Sequence, residues 1–238
     1  MAHRRTRETY EVRRLQAELS AVGFVAGRDR IDRLRRDLGL RCKQKRRFRA
    51  TVNADHHLPV AENLLGQDFA TERPNQARVT DITYVATDEG WLYLAGVKDL
   101  FTCEIAGYSM GARMTEELVS TALFRAVQAK RPEPGLIYHS DRGSQYCARG
   151  HQGLVTQFGL RASMSRRGNC YDNAPMESFW GSLKNELVHH RRYATRIEAQ
   201  ASIRDIEIFY NRQRRHSRLG YTAPATFAKE FDCQRAVA

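Results

Sequence analysis

Long apolar runs are what this sequence most plainly lacks. Across its 238 residues none approaches the roughly 18 consecutive residues that span a bilayer, and the basic N-terminus is not followed by a signal-peptide core. The expectation is a soluble chain that stays inside the cell. Cysteine is sparse as well. The five (Cys42, Cys103, Cys147, Cys170 and Cys233) are odd in number, scattered, and free of any C-x-x-C pair. That excludes a disulfide framework and points to free thiols in a reducing compartment. His56 and His57 are adjacent with no paired cysteines after them, so the ligand spacing of a structural zinc site fails. Acid is also short, with 27 Asp and Glu against 39 Lys and Arg and a net charge of +12. Such an excess favours an acidic partner, nucleic acid ahead of an anionic membrane; the alternative is a basic enzyme without one.

What is present is unevenly spread. Residues 1–50 carry 16 Lys and Arg against 6 Asp and Glu, most of the excess. Apolar positions recur through this segment at helical spacing: Val12, Leu15 and Leu19, then Ile31, Leu34 and Leu38. Residues 20–27, with Gly23, form a break between them. Two short helices around a glycine-bearing turn read as a helix-turn-helix module over residues 1–48. Its second helix sets Arg28, Arg30, Arg33, Arg35 and Arg36 toward DNA, with Arg46 and Arg47 in the charge run that follows. The alternative is a basic hairpin that packs on the rest of the chain. Residues 49–76 lose periodicity around Pro59 and Pro74 and read as a linker, with a short helix near 60–65.

A mixed α/β pattern follows. Residues 78–87, RVTDITYVAT, alternate as a strand, and Asp81 interrupts its apolar face. Such a break marks a functional position. A D-E-G turn leads to strands at 91–100 and 104–110, then a helix at 115–130 with Glu116 and Glu117 in its first turn. An apolar run, Leu136-Ile137-Tyr138, delivers Asp141 where strand gives way to a glycine turn. A helix at 147–158 and a strand at 160–164 complete the pattern. The turn at 165–173 then releases a helix near Ala174 or Pro175, with proline suited to its first position. This helix carries Glu177 and Lys184 on one face and Trp180, Leu183 and Leu187 as an apolar stripe. Asn173 is placed to cap it, and His189 and His190 suit its negative end. Beyond it Thr195-x-x-Glu198 reads as a capping box. The basic cluster at 212–218 reads as a DNA-flanking surface or a solvated helix end.

Three motifs carry a resemblance: TDITY around Asp81, HSDRGSQY around Asp141, and RGNCYDNAPMESFWGSLKNE around Glu177. Between the acids stand 59 and then 35 residues. With the tail YNRQRRHSRLGYTAPATF, they closely resemble the DDE transposases of bacterial insertion sequences, specifically the second-frame product of the IS3 family. The resemblance covers nearly the whole chain. It implies an α/β fold, an RNase H-like integrase catalytic core at 77–190, with a small N-terminal helix-turn-helix module and a C-terminal helical extension at 191–238. It implies an enzyme that cleaves DNA strands at element ends and transfers them, with Asp81, Asp141 and Glu177 as catalytic metal ligands. The cofactor implied is magnesium, as two ions, with manganese able to substitute. The partners implied are DNA, as terminal inverted repeats and target, further copies of the chain in a synaptic complex, and an upstream reading-frame product as fusion or partner. The place implied is the bacterial cytoplasm, at the nucleoid.

Lys184 lies two turns past Glu177, about 10 Å along the axis, and is placed to reach a phosphate. His139, Arg142 and Ser144 flank Asp141, to orient it or touch phosphate. Arg78 departs from the family pattern, standing where an aromatic residue is usual. Two other readings are a nuclease that cuts without joining and a DNA-binding regulator with an inactive core.

Overall fold

The computed structural model describes residues 1–43 and 58–237. Arg46, Arg47, His56 and His57 lie outside the described residues. The chain separates into two compact units. One comprises the described residues of Met1–Arg47 with Ser182–Arg191 and Asp205–Ala238; the other holds those of Phe48–Gly181 with Arg192–Arg204.

The first unit opens with α1 (Ala2–Arg5), α2 (Val12–Ser20) and α3 (Arg28–Asp37). Tyr10, Leu15 and Ile31 form its small core, with Val12 and Leu19 packed against them. Of the apolar positions expected in α3 only Ile31 is buried. Leu34 is about half exposed and Leu38 more so, since the small core reaches only the Ile31 end of that stripe.

The second unit is a five-stranded sheet in the order β3-β2-β1-β4-β5. Strands β1 (Ala77–Thr87), β2 (Gly90–Asp99) and β3 (Ile105–Gly111) form an antiparallel meander, and β4 (Ile137–Ser140) and β5 (Arg161–Met164) add in parallel. Helix α4 (Glu116–Lys130) starts where Thr115 accepts a bond from the Leu118 amide and ends at left-handed Arg131. Its face Leu118, Val119, Ala122, Leu123 and Ala126 packs on Ala95, Val97, Leu136 and Tyr138 of the sheet. The approach is tight enough that a Cβ at Gly107 would lie 2.4 Å from the Ala126 nitrogen. Only glycine fits there.

Two expectations need correction in this unit, and one a finer boundary. No helix forms at 60–65. The Asn63 side chain turns back to accept from Leu65 and Gly66, while the Leu64 amide donates to Ser163 and the Met164 amide to Glu62. Local side-chain bonding of this kind competes with helix, and the segment lies along β5. The helix expected at 147–158 forms as α6 (Arg149–Gln157); a separate short helix, α5 (Ser144–Cys147), precedes it, parted at Ala148, whose ψ of 141° is extended. Asn173 caps no helix; it donates to the Thr80 carbonyl at 3.0 Å.

Helix α7 (Ala174–Glu186) follows, then α8 (Arg196–Ile203), where Thr195 accepts from the Glu198 amide as the capping box requires. The C-terminal part of the first unit continues with a π-type turn at Ile206–Tyr210 and α9 (Pro224–Val237). Here the basic cluster at 212–218 is partly internal. Arg214 is 4% exposed and makes two bonds of 2.7 Å to Glu186, which Arg14 also reaches at 3.3 Å. Arg215 pairs with Glu18 at 2.9 Å. These two arginines are committed to ion pairs within the unit. His190 does serve the end of α7, its Nε2 lying 2.6 Å from the Asn185 carbonyl. Among the described residues no helix is long and apolar enough to cross a membrane.

Candidate functional site

The strand register brings the two aspartates together. Val79 of β1 pairs with His139 of β4 in parallel, and Asp81 and Asp141 each stand two residues beyond that pair. Asp81 lies inside β1 at the level where β4 gives out, so it and Asp141 stand side by side on neighbouring strands, about 4.8 Å apart. Asp141 accepts from the Gly143 amide at 2.9 Å, which fixes the turn after β4. Glu177 comes from the first turn of α7, and Trp180, one turn on, donates its indole N–H to Asp81 Oδ2 at 2.9 Å. Two further bonds pin the start of α7 to the sheet: Asn173 to Thr80, and the buried Lys98 ammonium to the Pro175 carbonyl at 3.1 Å. The sequence pattern alone did not single out Lys98, although a lysine inside the apolar strand AGVKDL is the kind of break that flagged Asp81.

The electrostatics register the convergence. Burial first, then the charge of Asp141 and, to a smaller extent, that of Glu177 push the Asp81 carboxyl up to about 8. Bringing carboxylates together this way is costly unless a cation or proton joins them. As the side chains stand, no group of three or more His, Cys, Asp or Glu among the described residues encloses a metal position. The three acids are thus electrostatic neighbours rather than a closed ligand cage. Their donors are all hard oxygens, the set that suits magnesium rather than zinc or copper.

The turn between β5 and α7 is anchored by Asp172, which is fully buried. It accepts from the Arg166 amide and guanidinium, Asn63 and Gln67 at 2.7–3.1 Å. The Arg166 side chain, more than any other partner, holds its carboxyl well below the usual carboxylate range. A depressed folded-state pKa gives stability that is complete above the unfolded value, near 4, and fades as pH falls below it. Asp172→Asn is therefore expected to cost about 1–3 kcal/mol at pH 7. The gap from the unsubstituted chain should narrow steadily in thermal melts taken below about pH 4. A gap constant with pH would rule out the charge as its source.

His139 does not reach outward. It is fully buried, with Nδ1 2.8 Å from Ser163 Oγ and Nε2 3.1 Å from Ser165 Oγ, and burial pushes it down to about 4. It joins β4 to β5 as a neutral ring. Arg142 is half-buried, with Nε donating to the Ser165 carbonyl at 2.7 Å. Ser144 opens α5 and is exposed. Arg78 is 1% exposed; its guanidinium donates to the Ala126 carbonyl at 3.1 Å and to Asn75 at 2.6 Å, so it tethers β1 to α4 in place of an aromatic ring.

In the first unit, Arg28, Arg30, Arg33 and Arg36 of α3 are exposed, and Arg36 pairs with Asp32 at 2.7 Å. Arg35 departs from the expected outer face. It is half-buried and its Nε is enclosed without a hydrogen-bond partner. Lys184 sits in the last turn of α7.

Residues 71–170 match the integrase core domain family, residues 158–224 a second family of the same description, and residues 1–48 an HTH-like domain. A 31 kDa protein of insertion element IS600 from Shigella sonnei is 63% identical over 232 residues, which cover 97% of this chain and 85% of that protein. The transposase InsF for insertion sequence IS3A of Escherichia coli (strain K12) is 43% identical over 227 residues, 95% of this chain and 79% of its own length. Among solved structures, a chain of the simian T-cell lymphotropic virus intasome in complex with PP2A regulatory subunit B56 gamma aligns with a TM-score of 0.56 at 16% identity. The alignment spans 90% of this chain and 70% of that one. The HTLV-2 integrase catalytic core domain in complex with magnesium aligns at 0.53 and 15% identity, over 66% of this chain and 97% of its own. At those identities the likeness is one of fold, the RNase H-like fold of an integrase core.

Proposed function

The chain belongs to the IS3 family of insertion-sequence transposases, and from that membership we propose that Asp81, Asp141 and Glu177 are the acids with which it cuts and rejoins DNA at element ends. One observation carries the assignment: Asp81 and Asp141 leave matched positions on adjacent parallel strands, with Glu177 near enough to raise the Asp81 carboxyl. The all-oxygen donor set suits magnesium, the ion named with the HTLV-2 core. The chemistry supplied by two such ions is activation of an attacking oxygen and stabilisation of a leaving one in in-line displacement at phosphorus. Asp81, Asp141 and Glu177 would hold the metal through their carboxylate oxygens. Water is the first nucleophile, freeing a 3′-hydroxyl at the element end. That hydroxyl then attacks a second phosphodiester, and the protein groups serve both steps because only the nucleophile changes.

The helix-turn-helix module at 1–48 reads the terminal repeats, with Arg28, Arg30, Arg33 and Arg36 against phosphates or base edges. Arg46 and Arg47 continue the basic run, and Lys184 and Arg142 contact phosphate nearer the reacting strand. Arg35 is a packing residue of the module. Residues 49–76 form a linker, 77–190 the catalytic core and 191–238 its C-terminal helical extension. The protein acts in the bacterial cytoplasm at the nucleoid, in a synaptic complex of several copies, with an upstream-frame product as fusion or partner.

Incubation with labelled element ends and magnesium tests this reading, and nicked and strand-joined products are expected together. Nicks without joining would leave a nuclease, and binding without either would leave a regulator. For the module, Arg30→Ala with Arg33→Ala is expected to lower the slope of log affinity against log salt by about 1.8, near 0.9 for each phosphate no longer neutralised. An unchanged slope in a filter-binding titration would remove α3 from the interface.

A further inference from the structure

We propose that Trp180 is a positioning residue for Asp81, and that Gly96 lacks a side chain in order to seat its ring. The inference rests on the assignment of Asp81 as a metal-binding acid.

Two independent features point the same way. The first is the bond from Trp180 Nε1 to Asp81 Oδ2 at 2.9 Å. A buried indole N–H seeks an acceptor, and here the acceptor is Asp81, whose carboxylate the charges of Asp141 and Glu177 both reach. The second lies on the opposite strand. Gly96 is the register partner of Asp81, and a Cβ there would fall 2.9 Å from the Trp180 ring carbon Cη2 and 3.4 Å from Met176 Cε. Real Cβ atoms essentially never come that close to a neighbour. The Trp180 ring and the bare strand position therefore fit one another beside the acid. Glu177 and Trp180 stand at i and i+3, adjacent around α7 although on different stripes, so the first turns of the helix bring both the third carboxylate and the donor.

The chemistry of the donor matters. An indole N–H is a neutral donor with no acceptor capacity, so it fixes the rotation of the Asp81 carboxylate without cancelling its charge. An arginine or lysine in the same place would hold the carboxylate equally well while competing with a metal for it. Outer partners of metal ligands act in this way, and losing one commonly costs about 10–100-fold in metal affinity.

Tryptophan occurs only at 91 and 180, so Trp91→Phe leaves a single indole to observe. Trp91 is half exposed and pairs with Ala86, five residues along β1 from Asp81. In that background, magnesium at concentrations that support cleavage is expected to shift the Trp180 indole N–H resonance, and manganese to broaden it. Asp81→Asn should abolish both responses. Trp180→Phe is expected to raise the magnesium concentration for half-maximal cleavage by about 10–100-fold. Most of the maximal rate should return at saturating metal, where a loss of folding would lower the rate at every concentration. Gly96→Ala, which keeps the indole but displaces it, should act in the same direction. If the resonance responds to metal but Trp180→Phe keeps the ordinary metal requirement, Trp180 is packing and the positioning role is overturned while the triad stands. If the resonance stays still at cleaving concentrations, the proposal falls from the Trp91→Phe chain alone, without recourse to any substitution at 180. If Asp81→Asn itself cleaves normally, the triad assignment fails with it.

Discussion

Glu177→Gln is expected to abolish both nicking and strand joining while leaving the chain folded and able to bind element ends. The substitution keeps side-chain volume and hydrogen-bonding capacity but removes the negative charge, and hard-cation binding depends on that charge. Loss of a single electrostatic stabiliser of a developing charge costs about 10²–10³ in rate, and a metal ligand should cost at least that. Asp81→Asn and Asp141→Asn should fall as far, and pairs of these substitutions little further, because acids that act as one unit are not additive. Product analysis of labelled ends on denaturing gels reads all of this. Joining at more than about a tenth of the normal rate in any one of the three variants would remove that acid from the set.

The largest expected effect on stability lies elsewhere, at Glu186. Its carboxylate is the partner of Arg214, which is almost completely buried and makes both of its 2.7 Å bonds there. Glu186→Ala would leave that guanidinium buried with Ser182 Oγ at 3.2 Å as a remaining acceptor. Stripping one partner from a buried pair costs about 3–5 kcal/mol, whereas an exposed pair such as Arg36–Asp32 is worth under about 1. At about 2–4 °C per kcal/mol for a chain of this size, the fall in Tm should be easily resolved by calorimetry. Glu186→Ala combined with Arg214→Met should be more stable than Glu186→Ala alone, since no charge is then stranded. If the single substitution costs under about 1 kcal/mol, Arg214 must escape to water.

What could be read in the sequence was what depends on near neighbours or on fixed spacing. Asp81 announced itself as an acid in a β-branched strand, and Thr115 with two glutamates announced the start of α4. The misses share a cause. Asn63 takes up the Leu65 and Gly66 amides just ahead of it, and the Leu64 amide is committed to Ser163 of β5, a partner about a hundred residues away. Arg214 and Arg215 looked like a DNA-facing cluster because Glu186 and Glu18, which neutralise them, are remote in sequence. Arg35 looked like its neighbours, yet the turn of α3 carries it inward. Trp180 was legible as an anchor; that its nitrogen addresses Asp81 was not, because periodicity assigns a face and not an atom.

The segment along β5 has a consequence for the outer margin of this sheet. A bare outer strand is a template on which a second molecule can add its own strand, the first step toward runaway polymerisation. With the Met164 amide donating to Glu62 and the Leu64 amide donating to the Ser163 hydroxyl, that template is occupied from within. A rise in local concentration then does not seed fibres from this margin.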